Sequence, residues 1–236
     1  MKSPNHPITI SLNVENSIFA VNIENFSKKF NEGLLLVASA MQKDILRFKF
    51  EKDRHRKLIS ALLLRYMVKN FLHISNYSVS TNSHGKPSID NYLDFQFNIS
   101  HSGNRVVAAV SDKPLGIDIE LISDLDDFMD IAKRFYSAEE YLFLLECEES
   151  SRLDLFYSIW TKKESLIKAV GKGLSLPLNS FTVPFKPDGL IENNGKCWSL
   201  FIPEIGDDHY KISICFSSNQ QLFAPVKYLT LDQLVN

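Results

Sequence analysis

The chain has 236 residues, of which 44% are apolar, 11% aromatic and 23% charged, a balance that excludes disordered and low-complexity classes and allows one or two domains. With 26 Lys and Arg against 28 Asp and Glu, the net charge of −2 provides no global field for nucleic acid or an anionic membrane, so an anionic ligand must be gripped locally. The 3 cysteines, Cys147, Cys197 and Cys215, have no C-x-x-C spacing and exclude both a disulfide framework and a zinc ribbon. Apolar runs such as Leu34 to Ala38 fall far short of the roughly 18 residues of a membrane span, and the polar start Met1 to His6 lacks a secretory apolar region. A cytoplasmic protein is therefore expected.

Loose alternation from Ile8 to Ile23 predicts strand. After Asp53, read as an N-cap, Leu58, Ile59, Leu62, Leu63 and Tyr66 recur at three- and four-residue steps and predict a helix running to Phe71. The Ser-, Asn-, Gly- and Pro-rich stretch Ser75 to Asn91 predicts a loop that carries Lys86, with a short strand near Val79. Three short strands follow at Phe95 to Ile99, Val106 to Val110 and Leu115 to Glu120, separated by turns at Ser100-His101-Ser102-Gly103 and Asp112-Lys113-Pro114, which together predict an antiparallel meander. Helical spacing spans Asp127 to Glu149 and Arg152 to Val170, with Gly171-Lys172-Gly173 stopping the second helix. Strand patterns return at Phe181 to Val183, Trp198 to Ile202 and Lys211 to Phe216. Helix and antiparallel strand in each half predict an α+β fold, divided as residues 1–112 and 113–236.

Asp118 and Glu120 stand two apart in Gly116-Ile117-Asp118-Ile119-Glu120, so strand periodicity puts both carboxylates on one face, where they could hold a hard cation. Such a pair taken alone is more often ordinary surface acid. Trp160, Glu164 and Lys168 share one face of a helix, and Glu164 with Lys168 is by itself an unremarkable surface pair. His101 beside Ser100 can offer donors to a phosphate. Arg54, His55 and Arg56 oppose the dipole at a helix start, which a bound anion would explain. Gly171-Lys172-Gly173 follows a helix and reads as a C-cap, not a phosphate loop.

Taken in order, Asn98-Ile99-Ser100-His101-Ser102, Gly116 to Glu120, Ala132-Lys133-Arg134-Phe135, Trp160 to Lys168 and Gly171 to Leu178 resemble the motifs of surfactin-type 4′-phosphopantetheinyl transferases. The resemblance is close from about Gly85 to Val183 and looser at both ends. It implies two similar α+β lobes related by a pseudo-two-fold, with the site between them. It also implies transfer of the phosphopantetheine arm of coenzyme A to a serine of an acyl or peptidyl carrier protein, releasing 3′,5′-ADP. By resemblance Asp118, Glu120 and Glu164 hold Mg²⁺, Lys168 lies against the pyrophosphate, and Glu164 is the nearest base for the serine. Arg56, Lys86, Ser100 and His101 match positions near the coenzyme's phosphates, the 3′-phosphate above all. Relatives carry lysines where this chain has Met41 and Asp44, and Lys43 or Arg47 could substitute. Carrier docking is expected to be apolar, with Gly173 to Leu178 as the candidate surface and a core-packing loop as its alternative. A monomer that binds neither nucleic acid nor membrane is expected. Two other functions remain open from sequence: a carrier-binding module without activity, and a Mg²⁺-dependent hydrolase of nucleotide pyrophosphates.

Overall fold

A computed structural model describes residues 15–24, 26–217 and 223–235, the side chain of Leu174 excepted. The expected strand residues 8–14 lie outside that range. In chain order the elements are β1 (Ser17–Asn22), α1 (Phe30–Leu35), α2 (Ser39–Leu46), α3 (Glu51–Met67), β2 (Val79–Thr81), β3 (Pro87–Ile89), β4 (Gln96–Ser102) and β5 (Arg105–Ser111). They continue as β6 (Leu115–Leu121), α4 (Phe128–Phe135), α5 (Ala138–Glu146), α6 (Glu149–Val170), β7 (Gly189–Asn193), β8 (Lys196–Phe201), β9 (Tyr210–Phe216), β10 (Lys227–Tyr228) and α7 (Leu231–Val235). The fold is α+β, as expected. One sheet has the order β10-β1-β5-β4 and a second the order β6-β9-β8-β7, while β2 and β3 form a separate hairpin.

Alternation along the strands explains how these layers stack. Phe19 and Val21 of β1, with Val106, Ala108 and Val110 of β5, face α3 and its Leu58, Ile59, Leu62 and Leu63. Their neighbours Ile18, Ala20, Val107 and Ala109 face the other way and meet Ile117, Ile119, Ile212 and Ile214 of the second sheet. Behind that sheet α6 packs Ile159, Leu166 and Ala169 in a core with Trp198, Leu200 and Cys215. The order is helix, sheet, sheet, helix. Strands covered on both faces lose the polar half of their alternation, which is why Val106 to Val110 is wholly apolar. Among the described residues no helix is long and apolar enough to cross a membrane.

Several local expectations are corrected. Helix α3 begins at Glu51 after Phe50, and Asp53 is not its cap: the Asp53 amide donates to the Phe50 carbonyl and its carboxylate accepts from Arg56. Helix 127–149 is broken at Tyr136 and Ser137, because Ser137 and Glu140 close a capping box that starts α5. Phe181 to Val183 is not strand; the Val183 amide is held by the buried Glu140 carboxylate instead of a ladder. Strand β4 continues through Ser102, so Ser100 and His101 belong to a strand and the turn shrinks to Gly103-Asn104, with Gly103 at φ 53°. Finally, β6 does not extend a meander with β5, because its ladder pairs with β9 from Leu115 to Leu121.

Candidate active site

With β4 at one edge of the first sheet and β6 at one edge of the second, the two strands run side by side in the same direction without a main-chain ladder. Polar side chains of β4 at a two-residue period bridge them. Asn98 Oδ1 accepts the Ile117 amide at 2.8 Å, Ser100 Oγ donates to Asp118 Oδ1 at 2.9 Å, and Ser102 Oγ donates to Glu120 Oε2 at 2.8 Å. Helix α6 reaches this seam because residue 116 is glycine: a Cβ there would stand 2.2 Å from the Ser165 carbonyl oxygen and 2.4 Å from the Ala169 nitrogen. Only a bare backbone allows helix and strand so close.

That approach brings Lys168 Nζ to 2.6 Å from Asp118 Oδ1 and 3.0 Å from Ser100 Oγ. Asp118 is 3% exposed, and its Oδ2 is buried with no hydrogen-bond partner. Burial pushes the Glu164 carboxyl above the usual carboxylate range, helped by Asp118 and opposed by Lys168. Burial likewise raises Glu120, with Asp118 and Glu164 adding to the rise, while Ser102 and Lys168 oppose it. Three carboxylates thus share one ammonium, a surplus of negative charge on oxygen donors that suits a hard divalent cation. The orphaned Asp118 Oδ2 fits the same group. In this arrangement Lys168 is the cation at Asp118, and among the described residues no three His, Cys, Asp or Glu side chains are drawn together as a ready metal cluster.

Basic groups also lie around His101 of β4. Partial burial lowers the pKa of the surface residue His101, and nearby Arg56, Lys168 and Lys57 lower it further. So many positive neighbours favour an anion at this place. Arg56 donates through Nε and Nη2 to the Gly103 carbonyl at 2.9 and 2.7 Å and through Nη1 to Asp53 at 2.9 Å. It also lines an open cleft of 410 Å³ with Phe50, Glu51, Lys52 and Asp53. Its two neighbours point elsewhere, Arg54 to the Phe48 and Lys49 carbonyls and His55 into the edge of the core between Phe26 and Phe30.

Comparison with known proteins identifies the family. Residues 114–222 match the 4′-phosphopantetheinyl transferase superfamily, and residues 24–113 match the 4′-phosphopantetheinyl transferase N-terminal family. The 4′-phosphopantetheinyl transferase gsp of Aneurinibacillus migulanus is 36% identical over 203 residues, covering 84% of this chain and 81% of its own. The 4′-phosphopantetheinyl transferase Sfp of Bacillus subtilis is 39% identical over 176 residues, covering 72% and 77%. The chain belongs to the 4′-phosphopantetheinyl transferase family. Members transfer phosphopantetheine from coenzyme A to carrier proteins, and this chain is a transferase of that class. Among solved structures, Thermotoga maritima holo-[acyl-carrier-protein] synthase aligns with 45% of this chain and 64% of its own at 18% identity and a TM-score of 0.30, too slight a likeness to argue from.

Other sequence-predicted residues of this transferase stand apart from the acids. The Lys86 ammonium is turned inward, donating to the Leu115 and Ala169 carbonyls at 2.9 Å each, and burial pulls its pKa down to about 8. With Asn82, which donates to the Gly171 carbonyl at 2.8 Å, it satisfies the C-terminal end of α6. Arg47 pairs with Asp44 on the surface and Met41 packs on the first core. The leucines around Pro177 do not form an exposed docking surface: Leu176 and Leu178 are buried in the second core, and the Leu174 side chain lies outside the described residues. Sequence reasoning also missed the buried lysines of the Trp160 motif. Lys163 is wholly buried, pairs with Glu140 at 2.7 Å and donates to the Leu178 and Phe181 carbonyls, while Lys162 donates to those of Pro184 and Lys186. The Ser137-to-Glu140 capping box was a local signal for the start of α5, whereas the pairing of Glu140 with Lys163 is a tertiary contact.

Proposed function

We propose that this transferase moves the 4′-phosphopantetheine group of coenzyme A onto a serine of an acyl or peptidyl carrier protein, releasing 3′,5′-ADP, with Asp118, Glu120 and Glu164 holding Mg²⁺. The observation that carries the metal assignment is the Asp118 carboxylate, engaged by Lys168 and Ser100 through one oxygen and orphaned at the other beside two further acids. Mg²⁺, when bound, supplies neutralising charge to the pyrophosphate oxygens. Lys168 and Ser100, already in contact, grip the pyrophosphate, and Lys168 offsets charge on the leaving phosphate. His101 and Arg56 receive the 3′-phosphate beside β4, where the positive neighbours of His101 favour an anion. Glu164, whose carboxyl is raised above the usual range, accepts the proton of the carrier serine as its oxygen attacks phosphorus. Lys86 supports the site from behind, through the ends of β6 and α6.

The two-lobe division near residue 112 is supported by the change of sheet between β5 and β6, while β10 and α7 of the second half return to the first sheet and its core. The free thiols of Cys147, Cys197 and Cys215 fit a reducing cytoplasm. The reading takes the transferase as a monomer whose partners are carrier domains and coenzyme A, without nucleic acid or membrane. Intact mass of an apo carrier protein, incubated with the transferase, coenzyme A and Mg²⁺, tests the reading. Addition of one phosphopantetheine is expected, and Glu164→Gln should nearly abolish it. Release of 3′,5′-ADP with the carrier unchanged would instead indicate hydrolysis.

A further inference from the structure

Of the three acids Lys168 touches Asp118 directly, and Glu120 is held instead by Ser102. The hydroxyl has one proton and two lone pairs. Its Oγ accepts the Leu121 amide at 3.1 Å, so the single proton is free to point at Glu120 Oε2, 2.8 Å away. A carboxylate presented this way has one oxygen fixed and the other open.

The turn behind Ser102 is itself clamped from two further elements. Arg56 of α3 grips the Gly103 carbonyl, and the Tyr210 hydroxyl of β9 accepts the Asn104 amide at 2.9 Å. Gly103 sits at φ 53°, and a Cβ there would stand 2.4 Å from the Tyr210 hydroxyl, so the turn packs directly against that ring. Such bracing restricts the serine far more than an ordinary strand end. Ser100 holds Asp118 in a similar way but shares its oxygen with Lys168, whereas Ser102 meets no cation among the described residues.

We propose that Ser102 is a positioning residue that sets the orientation of the Glu120 carboxylate towards a divalent cation. The inference rests on the metal reading above and extends it to a group outside the three acids. Partners that orient a metal-binding carboxylate are typically worth roughly ten- to a hundredfold in metal affinity.

Mn²⁺ binding to the substrate-free protein, followed by its electron paramagnetic resonance signal, tests the proposal without activity. Ser102→Ala should weaken Mn²⁺ by roughly tenfold or more, and Ser102→Thr, which keeps the hydroxyl, should restore most of the affinity. In a Glu120→Ala background Ser102→Ala should cause no further loss, because the serine would act through that carboxylate alone. Unchanged Mn²⁺ affinity in Ser102→Ala overturns the proposal, as does an equal loss with and without Glu120, or a parent protein that binds no Mn²⁺. A parent that binds Mn²⁺ and shows the expected series yet leaves the apo carrier unmodified would defeat the transfer reading while sustaining the role of Ser102.

Discussion

Asp118 and Lys168 hold each other in the substrate-free protein, and removing either leaves the other exposed to the cost of burial. Lys168→Ala leaves a carboxylate that is 3% exposed with the Ser100 hydroxyl but without its cation. Removing one partner of a buried group costs about 1–3 kcal/mol, so the variant should melt lower. It should also lower kcat more than it raises KM for coenzyme A, since charge on the leaving phosphate peaks in the transition state. A change confined to KM would remove Lys168 from the chemical step. Lys86 makes a different prediction. Burial draws its folded pKa from the ordinary lysine value to about 8, so above that pH the folded state binds fewer protons than the unfolded chain. Its penalty is full below pH 8 and relieved as pH rises toward the unfolded value near 10.4. The stability of the parent minus that of Lys86→Met, from urea unfolding at neutral and alkaline pH, should therefore grow with pH by about 1–3 kcal/mol. A flat difference would mean that the ammonium is hydrated.

At the scale of elements, the site depends on how closely α6 can lie on β6. Gly116→Ala would put a methyl group into the helix backbone at Ser165 and Ala169. Overpacking of this kind costs about 1–3 kcal/mol or more, and the only relief is for α6 to move outward, carrying Glu164 and Lys168 away from Asp118. The variant should lose most of its turnover while retaining its helix content by circular dichroism. Near-parental turnover would show that the seam tolerates a wider gap. The same helix explains why the Trp160 motif contains two further lysines. Lys162 and Lys163 tie α6 to the segment from Leu178 to Lys186, and Glu140 at the start of α5 neutralises Lys163. Two of the three basic residues of that motif are thus interior fasteners, and only Lys168 faces the acids.

Across the whole molecule, the last described elements return to the first sheet: β10 pairs in parallel with β1, and Leu229 and Leu234 are buried in the core that α3 builds with that sheet. Lys29 and Asp232 pair across the same junction. Leu234→Ala should cost about 2–4 kcal/mol, as for other buried leucines, measured by urea unfolding; a loss below about 0.5 kcal/mol would be the behaviour of a surface residue. Local patterns made much of this architecture legible. The three- and four-residue steps of α3, the short apolar run of β5, the alternation in β6 and the glycine stop after Val170 all reflect short-range geometry, which a sequence carries directly. Ordered motifs singled out Asp118, Glu120, Glu164 and Lys168, and the fold brings Lys168 against Asp118. Where β4 ends, which strand β6 pairs with, and which lysines turn inward were not legible. Ser100, His101 and Ser102 look like turn residues until the edge of a second sheet stands beside them. Lys86 and Lys163 look like surface charge until carbonyls distant in sequence converge on their ammonium groups. By itself the sequence determined the local elements and the chemical groups available. Only tertiary structure decided which of those groups meet, because burial and hydrogen-bond satisfaction arise between segments that no local period connects.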